Sequence, residues 1–419
     1  MSEPKILLDH LFRHESGKLV SILTKIFGPH NLELAEDVVQ DTLLKALEHW
    51  KFHGTPDNPS AWLFTAARNK AMDVIRRERH HKEFAAEVSP LLKSEYSAGA
   101  TLTQLVHENE IEDEQLRMMF VCCHPMVAEE GQVALILKTL GGFSVAEIAK
   151  AFLTSEETIT KRLYRARQQF RTEKVAFALP KPSELKERLN NVLTAIYLIF
   201  NEGYNSSYHD SLIREDLVEE SLRLGKMLVD HPLTRQPESL AMLALFCFQS
   251  SRLYGRVDET GQLVQLKDQD RKKWDQEMIR QGIFYLQNAS SGDQVSAYHF
   301  EAAIAHEHCI APSYQETAWD KILTQYNWLF EMRPDPLIAL NRLVIYAEVH
   351  GPGKALKELQ KLPDKDLLKN YYLYPAVMGE WNAQLGNHAE AKSYLEQAIK
   401  LTHSPSEKQL LQSKINKLF

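Results

Sequence analysis

Residues 142–171 read GFSVAEIAKAFLTSEETITKRLYRARQQFR and decide the fold of this part of the chain. Ser144 and Glu147 fit a capping box, in which a hydroxyl caps a helix and a glutamate three residues later reaches back. Thr154 and Glu157 repeat that signal and predict a second helix. Four cations of the second helix are predicted to project outward: Lys161, Arg162, Arg165 and Arg167. This layout is that of a helix-turn-helix, whose second helix enters the major groove, so nucleic acid is the first partner to consider.

Charge is distributed unevenly along the 419 residues. The formal net charge of −7 is unfavourable for a protein that binds DNA alone. Residues 68–82 carry a net charge of +4 and residues 154–174 carry +3, whereas residues 83–114 between them carry −7. Two basic segments therefore flank an acidic connector. A protein that reaches DNA within a larger basic assembly would not need an overall positive charge.

Composition indicates an ordinary globular chain of two or three domains, with 44% hydrophobic and 25% charged residues. No apolar run approaches the roughly 20 residues that a membrane span needs, and the first residues lack the apolar core of a signal peptide. Four cysteines in so long a chain are too few for a disulfide framework. We therefore expect a cytoplasmic protein without a membrane partner.

Sparse glycine and proline, together with a helical period along nearly the whole chain, predict an all-α fold. We expect a helical domain over residues 1–82, an acidic linker over 83–109, and a second helical domain with the helix-turn-helix over 110–178. A helical domain over 183–419 follows a proline-rich break. Truncation after Pro182 should then leave two folded units.

The last third of the chain contains a repeat. HGPGKALKELQKL and LGNHAEAKSYLEQAIKL superpose on Ala355 and Ala391, which are 36 residues apart. Helix pairs of tetratricopeptide type need small residues at their contacts, and four fall at such places: Gly379, Gly386, Ala391 and Ala398. Repeats of this kind build concave surfaces for partners.

An amphipathic helix is predicted over residues 34–50 of the first domain. Its expected core positions are Ala35, Val38, Leu43, Leu47 and Trp50. The opposite side carries mainly acidic residues and one amide: Glu36, Asp37, Gln40, Asp41 and Glu48. A loop over residues 51–59 precedes a second helix that becomes more basic toward its end.

Three segments of the N-terminal half resemble, in the correct order, bacterial RNA polymerase sigma factors of the extracytoplasmic-function group. LAEDVVQDTLLKALEHW is similar to the core-binding helix of region two, and PSAWLFTAARNKAMDVIRRER to the helix that engages the −10 element. GQVALILKTLGGFSVAEIAKAFLTSEETITKRLYRAR is similar to region four, which reads the −35 element. YLIFNEGY, LKDQDRKKWD, LIALNRLVIYAEVHGP and FVCCHPMVAEEGQVAL resemble a subgroup with a long tetratricopeptide-like C-terminal domain.

The resemblance implies a specificity subunit that needs no cofactor and has no catalysis of its own. Its partners would be core RNA polymerase, through the β′ clamp and β flap regions, promoter DNA, and a regulatory protein on the C-terminal domain, which would modulate activity. The implied core-binding residues are Asp37, Gln40 and Asp41. The implied contacts on the −10 side are Asn58, Asn69, Asp73, Arg76 and Arg77. Those on the −35 side are Glu157, Thr158, Lys161, Arg162 and Arg165.

Two other classes of function stay open from the residues alone. The first is an ordinary DNA-binding regulator whose repeat domain senses a ligand or a protein; such a regulator would need only one DNA-binding element. A metalloenzyme would use clusters of the C-terminal half: His299, His306, His308 and Cys309, or Asp268, Asp270 and Asp275. The histidine spacing does not match a familiar zinc pattern, and aspartates at helix starts are ordinary caps, so no metal site is predicted.

Overall fold

The computed structural model describes residues 3–78, 108–152, 154–173, 175–205, 213–258, 263–362, 365–402 and 404–418. These residues form α-helices joined by turns, and their only β pairing is an isolated bridge between Val257 and Leu263. The all-α prediction is confirmed. The first helices are α1 (Glu3–Phe27), α2 (Leu32–His53), α3 (Pro59–Glu78), α4 (Glu108–Cys122), α5 (Glu129–Thr139), α6 (Val145–Ala151), α7 (Glu156–Thr172), α8 (Pro182–Tyr204) and α9 (Glu215–Asp230). They are followed by α10 (Pro237–Ser250), α11 (Gln276–Ala289), α12 (Ala297–Ile310), α13 (Trp319–Met332), α14 (Pro336–His350), α15 (Pro352–Gln360), α16 (Lys365–Leu368), α17 (Leu373–Gln384), α18 (His388–Leu401) and α19 (Pro405–Asn416).

Most of the predicted acidic linker, residues 83–107, and the end of the first predicted domain, residues 79–82, lie outside the described residues. Among the described helices, none combines the length and the apolar character that a membrane crossing requires.

The chain divides into two compact units, one of Met1–Gly203 with Glu215–Thr234 and one of Tyr204–Arg214 with Arg235–Phe419. The predicted boundary near residue 183 does not coincide with this division, because α8 and α9 belong to the first unit. The apolar side chains of α8 are buried: Leu185, Leu189, Val192, Leu193, Ala195, Ile196, Ile199 and Phe200.

Specific contacts fix α8 to the helix-turn-helix part of the first unit. Gly141, just after α5, allows a close approach, since a Cβ there would lie 3.2 Å from Ile199 Cδ1. Asn191 Nδ2 donates to Gln132 Oε1 of α5 at 2.9 Å. α8 therefore packs against α5 and the residues just after it.

α9 contacts the two other parts of the first unit. Arg223 Nη1 donates to Gln115 Oε1 of α4 at 2.9 Å, and Arg13 Nε of α1 lies 3.6 Å from Asp216 Oδ2. Because α1 precedes the acidic linker and α4 follows it, α9 bridges both sides of that linker.

The helix-turn-helix forms as the capping pattern predicts, with one shift of register. The Ser144 hydroxyl accepts from the Glu147 amide at 3.2 Å, and the Glu147 carboxylate accepts from the Ser144 amide at 2.7 Å. At α7 the cap is Ser155, which accepts from the amide of Thr158 at 3.2 Å. The expected cap Thr154 is wrong by one residue, because α7 begins at Glu156.

The repeat of the second unit folds into helical hairpins, α14 with α15 and α17 with α18. Ala355 and Ala391 are fully buried at equivalent places. A Cβ at Gly379 would lie 2.7 Å from Leu395 Cγ, so the close packing of α17 on α18 requires glycine there. Gly386 serves a different purpose from the expected one: its φ of +80° shapes the turn, and open space surrounds it.

Candidate functional site

The outer side of α2 carries a continuous exposed surface. Asp37, Gln40 and Asp41 are exposed, as predicted. Leu44 is 59% exposed and Leu47 is 44% exposed, and they extend the same helix face by two turns. The expected core position of Leu47 is wrong, because other apolar residues of α2 fill the buried face. We call these five residues the α2 stripe; exposed apolar side chains next to polar ones are typical of a protein-docking surface.

Glu36 does not belong to that surface, contrary to prediction. Its side chain is 13% exposed and its Oε2 accepts from Arg167 Nη2 at 2.9 Å and from Nε at 3.1 Å. Burial raises the pKa of Glu36, and Arg167 opposes this rise. A second pair joins Arg171 to Glu33. The expectation that Arg167 projects outward is therefore wrong: the C-terminal half of α7 packs against the start of α2.

The predicted −10-side residues of α3 form one exposed row: Asn69, Asp73, Arg76 and Arg77. Asp73 Oδ1 lies 3.5 Å from Arg76 Nη1, an exposed ion pair. Such a pair contributes little to stability, about 0–1 kcal/mol. The row combines hydrogen-bonding and positive groups, as contact with DNA requires.

The loop between α2 and α3, with the helix ends beside it, contains one residue with a structural role and one exposed aromatic residue. Asn58 Oδ1 accepts from the Ala61 amide at 2.9 Å and caps α3. Trp62 is half-buried, with its ring centroid 5.5 Å from that of Trp50. Phe52 is 79% exposed and begins the segment 52–59, where the resemblance implies capture of an unpaired promoter base. Its exposed ring could stack on an unpaired base.

The predicted −35-side residues of α7 differ in whether their side chains form ion pairs within the protein. Lys161 Nζ pairs with Glu157 Oε1 at 2.6 Å, and Arg162 Nη2 lies 3.3 Å from Glu130 Oε2. Arg165 is exposed and makes no hydrogen bond or ion pair with a residue that the structure describes. Its guanidinium is thus the readiest of these groups to contact a base edge or a phosphate.

Three residues of the predicted histidine and aspartate clusters have structural roles. His299 Nδ1 accepts from the Ser296 amide at 3.0 Å at the start of α12. Asp270 accepts from the Lys272 amide, and Asp275 caps α11, so the interpretation of these aspartates as caps is confirmed. Within the described ranges, no group of three or more His, Cys, Asp or Glu residues could hold a metal ion.

Arg271, in the LKDQDRKKWD segment, ties a loop to a helix end. Its Nη1 donates to the carbonyl oxygens of His308 at 2.5 Å and Ala311 at 2.7 Å. Its Nη2 donates to Thr317 Oγ1 at 3.1 Å, and the guanidinium lies 4.9 Å from the Trp274 ring centroid. Arg271 therefore holds this segment to the end of α12 and the turn that follows it.

Comparison with known proteins assigns the parts of the chain. Residues 11–81 match the family "Sigma-70 region 2", residues 117–170 match "Sigma-70, region 4", and residues 188–290 match a family of unknown function, DUF6596. An uncharacterized protein of Rhizobium meliloti is 33% identical over 388 residues, which are 93% of this chain and 90% of that protein. No solved structure matches the chain.

Two named relatives are similar to part of the chain. The ECF RNA polymerase sigma factor SigL of Mycobacterium tuberculosis is 31% identical over 133 residues, 32% of this chain and 70% of SigL. The ECF RNA polymerase sigma factor EcfG of Rhodopseudomonas palustris is 31% identical over 140 residues, 33% of this chain and 70% of EcfG.

Proposed function

Because the chain belongs to the extracytoplasmic-function family of RNA polymerase sigma factors, which bind the core enzyme and promoter DNA, we propose that its α2 stripe docks on the β′ clamp. As a sigma factor the chain directs promoter-specific transcription initiation and is not an enzyme. The supporting observation is the exposure of Leu44 and Leu47 beside Asp37, Gln40 and Asp41. The leucines supply affinity by burial, and the acids favour a basic partner and set orientation.

Substitution Leu44→Asp is expected to weaken binding of core RNA polymerase at least 10-fold. Burial of a leucine contributes about 1.5–3 kcal/mol, and a carboxylate in its place also has to be desolvated. Fluorescence titration of labelled full-length protein with core enzyme measures the change. The matched control is Leu385→Asp, which alters a 44% exposed leucine in the second unit. Equal affinities for the two variants would contradict the proposed docking surface.

On the promoter, we assign the −10 side to the α3 row and the loop before it. Asn69, Asp73, Arg76 and Arg77 would contact the −10 element, with Asn58 presenting the loop through its cap on α3. The −35 side is assigned to α7, where Glu157, Thr158, Lys161, Arg162 and Arg165 face the major groove. Region four would also bind the β flap of the polymerase.

Substitution Arg165→Ala is expected to weaken recognition of the −35 element about 10-fold and to leave core binding unchanged. One bidentate arginine–base contact contributes roughly 1–3 kcal/mol of discrimination. Initiation from promoter fragments with intact or scrambled −35 elements measures the loss. Arg280→Ala, which removes an arginine with a 67% exposed side chain from the second unit, is the control. A parallel fall in core binding would show that the division of roles is wrong.

We further propose that the arrangement of the first unit is a closed form that must open on the polymerase. The pairs Arg167–Glu36 and Arg171–Glu33 hold α7 against α2, and Lys70 Nζ holds α3 to α2 through Asp41 at 2.7 Å. Both DNA-reading helices are thus fixed to one helix, which at 22 residues is about 33 Å long. We call this the closed arrangement.

Promoter geometry requires a larger separation than the closed arrangement provides. The −10 and −35 elements lie about 25 base pairs apart, which is roughly 85 Å at about 3.4 Å per pair. Residues 79–107 join Glu78 to Glu108, and a chain of that length reaches at most about 100 Å when extended. Release of α7 from α2 would therefore allow both elements to be contacted at once.

The C-terminal unit is proposed to modulate this activity by contact with the core enzyme, the sigma regions or a regulatory protein. Its helical hairpins, with the close Gly379–Leu395 approach, give a rigid surface of the kind that binds proteins. A cytoplasmic location follows from the partner, since core RNA polymerase acts on DNA there.

A further inference from the structure

The second compact unit contains an open cleft with a volume of about 450 Å³. Its wall is formed by residues of α12, α13, α14, α17 and α19, together with Tyr314 and the segment 265–267. The cleft lies within the size range of small-molecule sites, roughly 300–1,000 Å³. The wall is mainly apolar, with the rings of Trp319 and Trp381 among its members, and charged side chains lie at separate places along it. Apolar walls with a few polar groups are typical of sites for organic ligands.

Two ammonium groups meet at one place in this wall. Lys267 Nζ lies 3.2 Å from Glu380 Oε1, and Lys414 Nζ lies 2.5 Å from Glu380 Oε2. Although burial favours the neutral acid, the two lysines hold the pKa of Glu380 below its usual value. The trio carries a net charge of +1, and each ammonium has three donors. N–H groups therefore remain for an anionic group of a ligand.

A carboxylate and a buried imidazole lie elsewhere in the wall. Glu348 is exposed in the cleft, and burial together with a hydrogen bond to it raises the pKa of Tyr314, so the phenol donates to the carboxylate. His308 is 7% exposed, and its Nδ1 has no hydrogen-bond partner among the residues that the structure describes. Burial lowers the pKa of His308 to about 3, which keeps the ring neutral. A buried nitrogen without a hydrogen bond is unfavourable, and a polar ligand group that paired with it would remove that penalty.

We propose that this cleft binds a small zwitterion with an apolar body, of the class of aromatic amino acids and short dipeptides. The ligand carboxylate binds Lys267 and Lys414, its ammonium group binds Glu348, and its apolar part packs against the tryptophan rings. The four charged side chains of the cleft sum to zero, which matches a zwitterion. A simple anion would bring no positive charge to Glu348, and a simple cation would bring no negative charge to the trio of Lys267, Lys414 and Glu380, whose net charge is +1.

Isothermal titration of the purified full-length protein with leucyl-phenylalanine tests the ligand class. We expect saturable binding of one molecule per chain, and at least 10-fold weaker binding of the N-acetylated and of the C-amidated dipeptide. These two blocked forms each remove one charge and keep the apolar body. Absence of binding at millimolar dipeptide, or equal binding of the blocked forms, would overturn the proposal.

Variants locate the site. Lys414→Gln and Glu348→Gln should each weaken dipeptide binding at least 10-fold, and Glu348 is exposed, so its replacement should leave the fold intact. Lys408→Gln, on the same helix as Lys414 but outside the cleft wall, is the matched control and should bind as the unaltered protein does. Unchanged binding by both cleft variants would overturn the assignment. Because neither polymerase nor DNA is present, this result is independent of the proposed promoter function.

Discussion

Truncation after Pro182 is expected to leave a fragment that aggregates or lacks cooperative folding. The lost helix α8 buries six large apolar side chains to 2% exposure or less: Leu189, Val192, Leu193, Ile196, Ile199 and Phe200. Each such burial contributes about 1.5–3 kcal/mol, so the sum reaches the whole net stability of a typical domain, about 5–15 kcal/mol. The surface that α8 covers around Gly141 would then face water.

A fragment of residues 1–234 is the matched control, because it keeps both α8 and α9 in the first unit. We expect it to be soluble and to unfold in urea in one cooperative transition. The shorter fragment should show either no transition or a much lower midpoint. Equal midpoints for the two fragments would mean that α8 adds nothing to the stability of the sigma regions.

The boundary of the first unit shows where sequence reasoning stops. The prolines at positions 180 and 182 suggest a break, yet Pro182 is the first residue of α8. Proline is favoured in the first turn of a helix, where its missing N–H would have no partner. Local patterns predicted a helical domain from residue 183 onward but could not indicate which core the apolar face of α8 joins. The capping box at Ser144 was predictable because both of its partners lie within four residues.

The candidate surfaces show the same limit. The exposed position of Asp37, Gln40 and Asp41 follows from their polarity, whereas Leu47 has the same apolar character as buried positions of α2. Glu36 and Arg167 each read as members of solvated faces, and their pairing spans 131 residues. Contacts at such separation depend on the tertiary arrangement, which helical periodicity does not contain.

Reversal of one charge in the Glu36–Arg167 pair is expected to open the closed arrangement. With side chains only 13% and 18% exposed, Glu36→Arg would place two cations together in a poorly solvated site. Loss of a buried pair costs up to about 3–5 kcal/mol, and we expect about 2 kcal/mol at this partial exposure. This corresponds to a roughly 30-fold shift toward separated regions, since about 1.4 kcal/mol is tenfold. Energy transfer between dyes at Glu48 and Thr160, both exposed, measures the separation.

The double charge swap tests whether the Glu36–Arg167 ion pair itself maintains the closed arrangement, or whether each single substitution merely destabilises the fold. Arg167→Glu alone should lower energy transfer as Glu36→Arg does, whereas the protein with both changes should regain most of the closed form, because opposite charges again face each other. Lys161→Glu, which reverses an exposed charge on the same helix, should leave the energy transfer unchanged. If the double variant were as open as the single variants, the Glu36–Arg167 pair would not be what maintains the closed arrangement. Because energy transfer is read on the free protein, the outcome separates opening of the sigma regions from any later loss of polymerase or promoter binding.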